Sequence, residues 1–555
     1  MKWRLMGLSL LSAVLLPLAL PNQLFEYGNI PLGFICLAPA FISISLSPSF
    51  KFASLLGVIY GAVSTAIADY WLMFFQGFSV WTYGGVIFGY LGVCALLFPV
   101  LRGFVIPRPR QRPFVLAAGW AVWEYLKSIG FLGFPWGLVA YPGGDILPLA
   151  QFIDITGIWG LSFLMAMANA IVAEGALFAL HAAPPWRAAP WAPAGVRTPR
   201  PDTASLFLRQ AAFLGILLTV VLFYGGYRLS TQIPKTGTVR LLLVQQNIDP
   251  WVGADIASRS TAINEELTLK GLQDAGKGHV DMAVWSEGSV PDVFVLPDLR
   301  LTPSKNSLTG YAVKSGTYTL FGGVTVVSMS RQKFMNSVSL LTPQGAIADT
   351  YGKMHPVPFA EYIPFSANPA VDAFFRNVIG IWNVWTPGRR YTIFKIPLSS
   401  GGTLSFASPI CFEDAFSDLC RRFILKGADM WINLTNDYWS KTVSSEVQHF
   451  QAARFRAIEN RRVLVRSTNG GVTAVIGPHG RVLASLPLFE RKTLLVDVPV
   501  YKERSLTFYT RFGDWFPRVL GAFLFVYLFV NVLQEWDARR RRLHTARVKA
   551  RTTDK

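Results

Sequence analysis

The sequence predicts two structural classes in one chain: an α-helical membrane bundle of about eight spans, and a water-soluble α/β domain placed before the last span. Three observations predict this. Hydrophobic residues make up 52% of the 555 and charged residues only 15%, against about 25% in ordinary soluble proteins. The polar deficit is concentrated in residues 1–230 and again at 516–534. Between these, strand and helix patterns alternate from residue 238 onward, the mark of a mixed sheet covered by helices.

The spans are expected at 5–20, 30–48, 53–76, 83–105, 113–130, 156–180, 207–228 and 516–534, each near the ~20 residues a helix needs to cross a bilayer. The first has a basic start and an apolar core. Pro21 follows LAL with no small-residue cleavage site, so it reads as an uncleaved span. The connecting loops alternate in charge. Lys2 and Arg4, then Lys51, then Arg102, Arg108, Arg110 and Arg112, then Arg187, Arg197 and Arg200 mark one side. Segments 21–29, 77–82 and 131–155 carry no Lys or Arg. By the positive-inside rule both termini are cytoplasmic and residues 230–515 lie on the far side. The expected organisation is a bundle over 1–230, a catalytic domain over 235–504, span eight at 516–534 and a basic cytoplasmic tail over 535–555. The Pro/Ala-rich stretch APPWRAAPWAPAGVRTPRPD reads as an irregular linker. Charges within the spans are few: Asp69, Glu174, and the pair Glu124 and Lys127, three apart and placed to pair on one helix face.

The net charge of +19 does not mark a nucleic-acid partner. From Lys235 to Arg504 there are 29 Lys/Arg against 22 Asp/Glu, a balance of only +7. The dense part is the tail after Trp536, with Arg539 to Arg542, Arg547, Lys549 and Arg551, which reads as an anchor to anionic lipid. Four cysteines do not make a disulfide scaffold, and no CxxC pair suggests zinc.

In the soluble part, TVRLLLVQQN reads as a buried strand, ASRSTAINEELTLKGLQDAG as a helix and VDMAVWSE as a strand closing on Glu287. TYTLFGGVTVV is another strand, and NSVSLLTP with GAIADTYGK a hairpin. YTIFKIP and TLSFASPIC are strands, EDAFSDLCRRFILKGA a helix, DMWINLTN a strand and VQHFQAARFRAIENRR a helix. RVLVRSTNGGVTAVIGPHGRVLASL closes the domain as a meander.

Cys411 ends the apolar run FASPIC at an expected strand-to-helix junction. A helix N-terminus offers partial positive charge and unpaired N–H groups, which lower a thiol pKa and suit an oxyanion. A thiol attacks only after losing its proton, so it needs a base; Glu287 in VWSEGSVPD is the candidate. The tetrahedral adduct carries a negative oxygen, so a fixed cation helps; Lys353 in YGKMHPVPFAEYIPF is the candidate. All three lie just past expected strands, where α/β domains gather their sites. Such a constellation beside a membrane suits acyl transfer. Singly, each residue also fits a bland role: core thiol, rim carboxylate, exposed lysine.

The surrounding runs are more specific: GFPWG at 133–137, VQQNI at 244–248, VWSEGSVPD, FMNSVSLLTPQG, YGKMHPVPFAEYIPF, ICFEDAF, LTNDYWS, QHFQAARFRAIENRR and RSTNGGVTAVIGPHG. Together they resemble the carbon–nitrogen hydrolase (nitrilase) superfamily and, with the spans, its integral-membrane branch, the apolipoprotein N-acyltransferase family. The resemblance implies an α-β-β-α sandwich with a Glu-Lys-Cys triad: Glu287 as base, Lys353 as oxyanion partner and Cys411 as nucleophile. It implies supporting roles for Glu361, for Glu413 two residues after the nucleophile, and for Asn336. Trp251 and Trp439 match aromatics on loops over a lipid opening. Three positions depart from the pattern: Ser286 in place of Pro, Ala360 in place of Gly, and Phe412 in place of a Tyr, which removes a hydroxyl.

The implied reaction is the third step of bacterial lipoprotein maturation at the inner membrane, with the catalytic domain periplasmic. A phospholipid gives an acyl chain to Cys411, and the amine of a diacylglyceryl-cysteine apolipoprotein takes it. No metal, nucleotide or other cofactor is implied, and no nucleic acid. Exposing an acyl chain to water costs ~0.8 kcal/mol per CH₂, so the pocket is expected to open sideways to lipid, lined by Trp251, Phe359 and Trp439. Two alternatives remain open: a membrane-tethered amidase or nitrilase using the same triad on water, and a transporter or scaffold with a degenerate domain.

Overall fold

The computed structural model describes the chain except residues 77–78, 107–108, 183–200, 252–255, 277, 302–307, 380–384, 502–504 and 554–555. Nearly all of the expected Pro/Ala-rich linker lies outside the described residues. Six helices are long and apolar enough to cross a membrane: Lys2–Ala19, Phe50–Ala68, Trp81–Val105, Ile158–Ala179, Ala204–Ser230 and Trp515–Ala538. By that measure the expected eight is not reached among the described residues, and two segments account for the difference.

The expected span at 30–48 is broken into Ile30–Gly33 and Ala38–Ser45, the second with proline in its first turn. Proline fits a first turn but not an interior, so it starts a new helix here. A break inside an apolar bundle survives only if its backbone groups find partners. Asn169, on the helix Ile158–Ala182, supplies them: its Nδ2 donates to Gly33 O at 2.9 Å and its Oδ1 accepts from Leu37 N at 2.7 Å. The expected span at 113–130 is the helix Arg112–Ser128, of 17 residues.

Glu124 and Lys127 do not bond to one another. Glu124 accepts from Trp120 Nε1 at 3.0 Å and Val139 N at 2.8 Å, whereas Lys127 Nζ donates to Trp136 O at 2.6 Å. Both are spent on anchoring the GFPWG loop. Glu174 pairs with Arg112 at 3.2 Å. Gly57 lets two helices touch, since a Cβ there would lie 2.0 Å from Cys94 O.

The domain beyond is a two-sheet sandwich. Its strands are β1 Gly237–Gln245, β2 Met282–Val284, β3 Val290–Val295, β4 Tyr318–Ser328, β5 Lys333–Leu341, β6 Ile347–Gly352, β7 Phe394–Pro397, β8 Thr403–Ala407, β9 Met430–Thr435, β10 Val463–Thr468, β11 Ala474–Ile476, β12 Val482–Ser485 and β13 Lys492–Val500. One sheet runs β13-β1-β2-β4-β5-β6 with β3 beside β4; the other runs β12-β11-β10-β9-β8-β7. The β1-β2-β4 and β8-β9-β10 neighbours are parallel, and the flanking hairpins are antiparallel. Apolar residues of both inner faces, such as Leu241, Val284, Leu340, Phe406 and Ile432, share one core. The helix Ile256–Asp274 covers the first sheet, and Ser417–Leu425 with Val443–Asn460 cover the second. The layers are therefore helix, sheet, sheet, helix.

Most expected strands and helices stand where the periodicity puts them. The helix expected over 413–428 does not. It is a short 3₁₀ turn, Cys411–Ala415, then an α-helix, Ser417–Leu425, separated by Phe416 in an extended conformation. β13 was not anticipated; it pairs along the whole of β1, from Gly237 opposite Val500 to Gln245 opposite Lys492. This returns the chain to the bundle for its last helix.

Candidate active site

Glu287, Lys353 and Cys411 follow β2, β6 and β8, whose C-terminal ends lie at one edge of the sandwich. Lys353 is 2% exposed, and its Nζ lies 3.2 Å from Glu287 Oε1 and 2.8 Å from Glu361 Oε1. Asn336 Nδ2 bridges the same two oxygens at 2.8 and 3.0 Å. Asn436 N donates to Glu287 Oε2 at 3.1 Å, and Val357 N donates to Glu361 Oε2 at 2.7 Å. Each carboxylate is thus held at both ends. Burial raises the Glu287 pKa, restrained by Lys353. Burial alone would lower that of Lys353, but Glu287 and Glu361 outweigh it and hold the ammonium charged.

Glu413 fixes the nucleophile's turn. Its Oε1 accepts from Met354 N and His355 N at 2.7 and 2.9 Å, and its Oε2 accepts from Ile410 N at 2.7 Å. Tyr351 donates its hydroxyl to the same group at 2.9 Å. One carboxylate therefore ties the segment just after β6, where Lys353 lies, to the turn that carries Cys411. That turn has a special backbone: Cys411 has φ +49°, a left-handed conformation costing ~1–2 kcal/mol for a residue with a Cβ. Asn433 Nδ2 holds it through Cys411 O at 3.2 Å.

The expectation of a helix-lowered thiol pKa is not met. Burial, with Glu287 beyond it, raises the Cys411 thiol well above its ordinary value, with Lys353 opposing. The helix at this point is one short 3₁₀ turn, too brief to offset desolvation. Cys411 rests as a thiol and would need a base to act as a nucleophile.

The expected aromatic lining divides. Trp251 and Trp439 come together: Trp251 Nε1 donates to Trp439 O at 3.1 Å, and Phe75 of the bundle packs edge-on against both, at 5.4 and 5.3 Å. Phe359 pairs instead with Phe375, at 5.8 Å, and is 39% exposed. Phe412 lies stacked on Trp136 of the GFPWG loop, with ring centroids 5.5 Å apart.

Behind Cys411 is a buried network that the sequence reading did not single out. His449, on Val443–Asn460, faces Asp437 from Nδ1 at 2.7 Å and Asp414 from Nε2 at 2.9 Å. Arg466 on β10 pairs with Asp414 and approaches Asp437 at 3.6 Å. Asp437 Oδ1 is 3.9 Å from Cys411 Sγ. The signal was present, because these residues sit in ICFEDAF, LTNDYWS, QHFQAAR and RSTNGG. Only the fold brings four separated runs together. Donor atoms of Cys411, Asp437 and His449 lie within 4.8 Å of each other, a spacing a metal could use. The donor set does not fit one, because both imidazole nitrogens are taken by carboxylates and two cations already balance the acids.

Comparison with known proteins matches this architecture along its length. A family model described as the apolipoprotein N-acyltransferase N-terminal domain matches residues 12–171, and one described as carbon-nitrogen hydrolase matches 243–506. The apolipoprotein N-acyltransferase 2 of Treponema pallidum is 36% identical, over 91% of each chain, and that of Treponema denticola is 34% identical, over 97% of this chain and 98% of that one. The apolipoprotein N-acyltransferase of Borreliella burgdorferi is 30% identical over 94% of each. With a helical bundle, a carbon–nitrogen hydrolase sandwich and relatives matched nearly end to end, the chain belongs to the apolipoprotein N-acyltransferase family.

Proposed function

We propose that the protein transfers an acyl chain from a membrane phospholipid, through a thioester on Cys411, to the N-terminal amine of a diacylglyceryl-cysteine lipoprotein. The observation that carries the reading is the buried Lys353, clamped between Glu287 and Glu361 at the sheet edge where Cys411 also stands. Glu287 takes the thiol proton as Sγ attacks the ester carbonyl. Lys353 faces the negative oxygen of the adduct. The C–O bond breaks, and Glu287 returns its proton to the departing lysophospholipid. In the second half the amine attacks the thioester, Glu287 takes its proton, the C–N bond forms and the C–S bond breaks. The thiolate is reprotonated as the cycle closes. Glu361 and Asn336 hold the base and the lysine in register; Glu413 holds the turn. Phe412 contributes packing on Trp136 where a hydroxyl was expected.

The catalytic domain faces the far side of a bacterial inner membrane, with both termini cytoplasmic, as the loop charges favour. Intact-mass analysis of purified protein incubated with phospholipid tests the chemistry. An acyl mass increment located on Cys411, discharged by a diacylglyceryl peptide to an N-acylated product, is expected. Free fatty acid with no N-acylated peptide would instead assign a hydrolase.

A further inference from the structure

We propose that His449 is a positioning residue for Cys411: held as an imidazolium between Asp437 and Asp414, it neutralises the carboxylate that faces Sγ and so permits the thiolate to form. The inference rests on Cys411 being the nucleophile.

The geometry requires the charge. A neutral imidazole has one N–H, so between two carboxylates it would turn a lone pair toward one of them. Here both nitrogens lie within 2.9 Å of carboxylate oxygens. All four members are buried: Asp414 and Arg466 side chains are 0% exposed, His449 3% and Asp437 8%. Burial would lower the His449 pKa, but Asp437 and Asp414 outweigh it and raise it to about 9, with Arg466 opposing.

The surroundings close the charge balance. On His449's own helix, Glu446 is fully buried, and burial and Asp437 push its pKa well above the ordinary value, with Arg466 opposing. From the nucleophile's turn come Asp414 and Cys411, from the segment after β9 comes Asp437, and from β10 comes Arg466. From the bundle, the Trp136 ring packs against His449 at 5.4 Å. Two carboxylates face two cations, and the sum is zero. With a neutral His449 the sum is −1, and the nearest of those carboxylates to the thiol is 3.9 Å from Sγ. A new thiolate there would meet an uncompensated charge in a dry site, where Coulomb terms are strong. Asp437 is itself a poor acceptor for the thiol proton, because His449 and Arg466 bind it as a carboxylate. That proton goes to Glu287.

The test reads the thiol directly and does not depend on acyl transfer. The rate of Cys411 alkylation by iodoacetamide is followed against pH in the full-length protein in detergent. His449→Gln keeps a polar side chain but removes the charge. It is expected to shift the alkylation profile up by at least about one pH unit, tenfold in thiolate at neutral pH. Removing the matching acid in His449→Gln/Asp437→Asn restores neutrality and is expected to return the profile most of the way. A merely structural role predicts no such rescue. An unshifted profile in folded His449→Gln, or a double variant no better than the single, would overturn the proposal. A measurement on the unaltered protein covers misfolding of the variants. Nitrogen NMR of ¹⁵N-histidine-labelled protein is expected to show one buried imidazolium at pH 7.5, absent from His449→Gln or, if that variant does not fold, assigned by selective bleaching on Trp136→Phe; a neutral tautomer in its place would also overturn it. Loss of the Cys411 acyl adduct with an intact alkylation profile would count against the thioester reading alone.

Discussion

At the scale of single residues, the proposed role of Cys411 as nucleophile depends on its neighbours rather than on its own backbone position. A buried thiol with a raised pKa would need a base to act as a nucleophile. Glu287→Gln and Lys353→Ala are each expected to slow acyl-enzyme formation by roughly 10²–10³; thioester accumulating at the wild-type rate in rapid-quench mass analysis would remove the assigned role. His449 adds a stability signature. Its folded pKa of about 9 exceeds the ordinary value near 6.5. The stabilisation is therefore fully present below about pH 6.5 and is lost as pH rises through about 9. The gap in melting temperature between wild type and His449→Gln is expected to narrow between those limits; a constant gap would sink the ionised-pair account. That Glu287, Lys353, Cys411, Glu361, Glu413 and Asn336 come together was legible because each sits in a distinctive short run. Asp414, Asp437, His449 and Arg466 were legible only as members of such runs, since nothing local says that four distant segments converge. The thiol pKa was misjudged for a related reason: burial is a property of the assembled fold.

At the scale of elements, strand and hairpin positions followed from alternation and turn residues, as with β5 and β6 around Thr342-Pro343-Gln344-Gly345. The expected span at 30–48 is interrupted where a side chain from elsewhere stabilises a break, as Asn169 does between Gly33 and Leu37. No window of hydropathy contains that information. The loops carrying Trp251 and Trp439, with Phe75, form an aromatic group beside the bundle, from which Phe359 is absent. Trp439→Glu is expected to depress turnover of long-chain phospholipid far more than alkylation of Cys411 by a small reagent. Equal loss of both in folded protein would argue against a lipid-facing opening there. The contact of Phe50–Ala68 with the helix Ser79–Val105 is equally specific. Gly57→Ala must push the Cys94 carbonyl away and is expected to cost about 1–3 kcal/mol, read as a lower melting temperature.

At the scale of the whole molecule, the bundle and the sandwich are joined by buried polar contacts rather than by a simple tether. Gln448 accepts from Trp71 Nε1 at 3.1 Å and donates to Pro21 O at 2.8 Å. Arg461, fully buried, pairs with Asp154 at 2.8 Å, and Glu459 accepts from Ile158 N at 3.0 Å. Such an interface holds the sandwich directly against the bundle. A reporter fused after Lys555 is expected to score cytoplasmic and one inserted near Gln332 periplasmic; the reverse would overturn the orientation. Composition made the division into bundle and sandwich readable, while the interface between them was not, because its polar residues lie in otherwise ordinary helices.

The Trp136–Phe412 stack makes the two halves poor interchangeable parts. A loop anchored by Glu124 and Lys127 presses an indole against the residue next to Cys411, so the membrane half packs directly against the proposed site. Exchange between relatives should therefore respect a seam that the domain boundary does not mark. A hybrid that transplants the sandwich together with its partner's 133–139 loop should turn over better than one cut cleanly at residue 235, even when both insert and fold equally well.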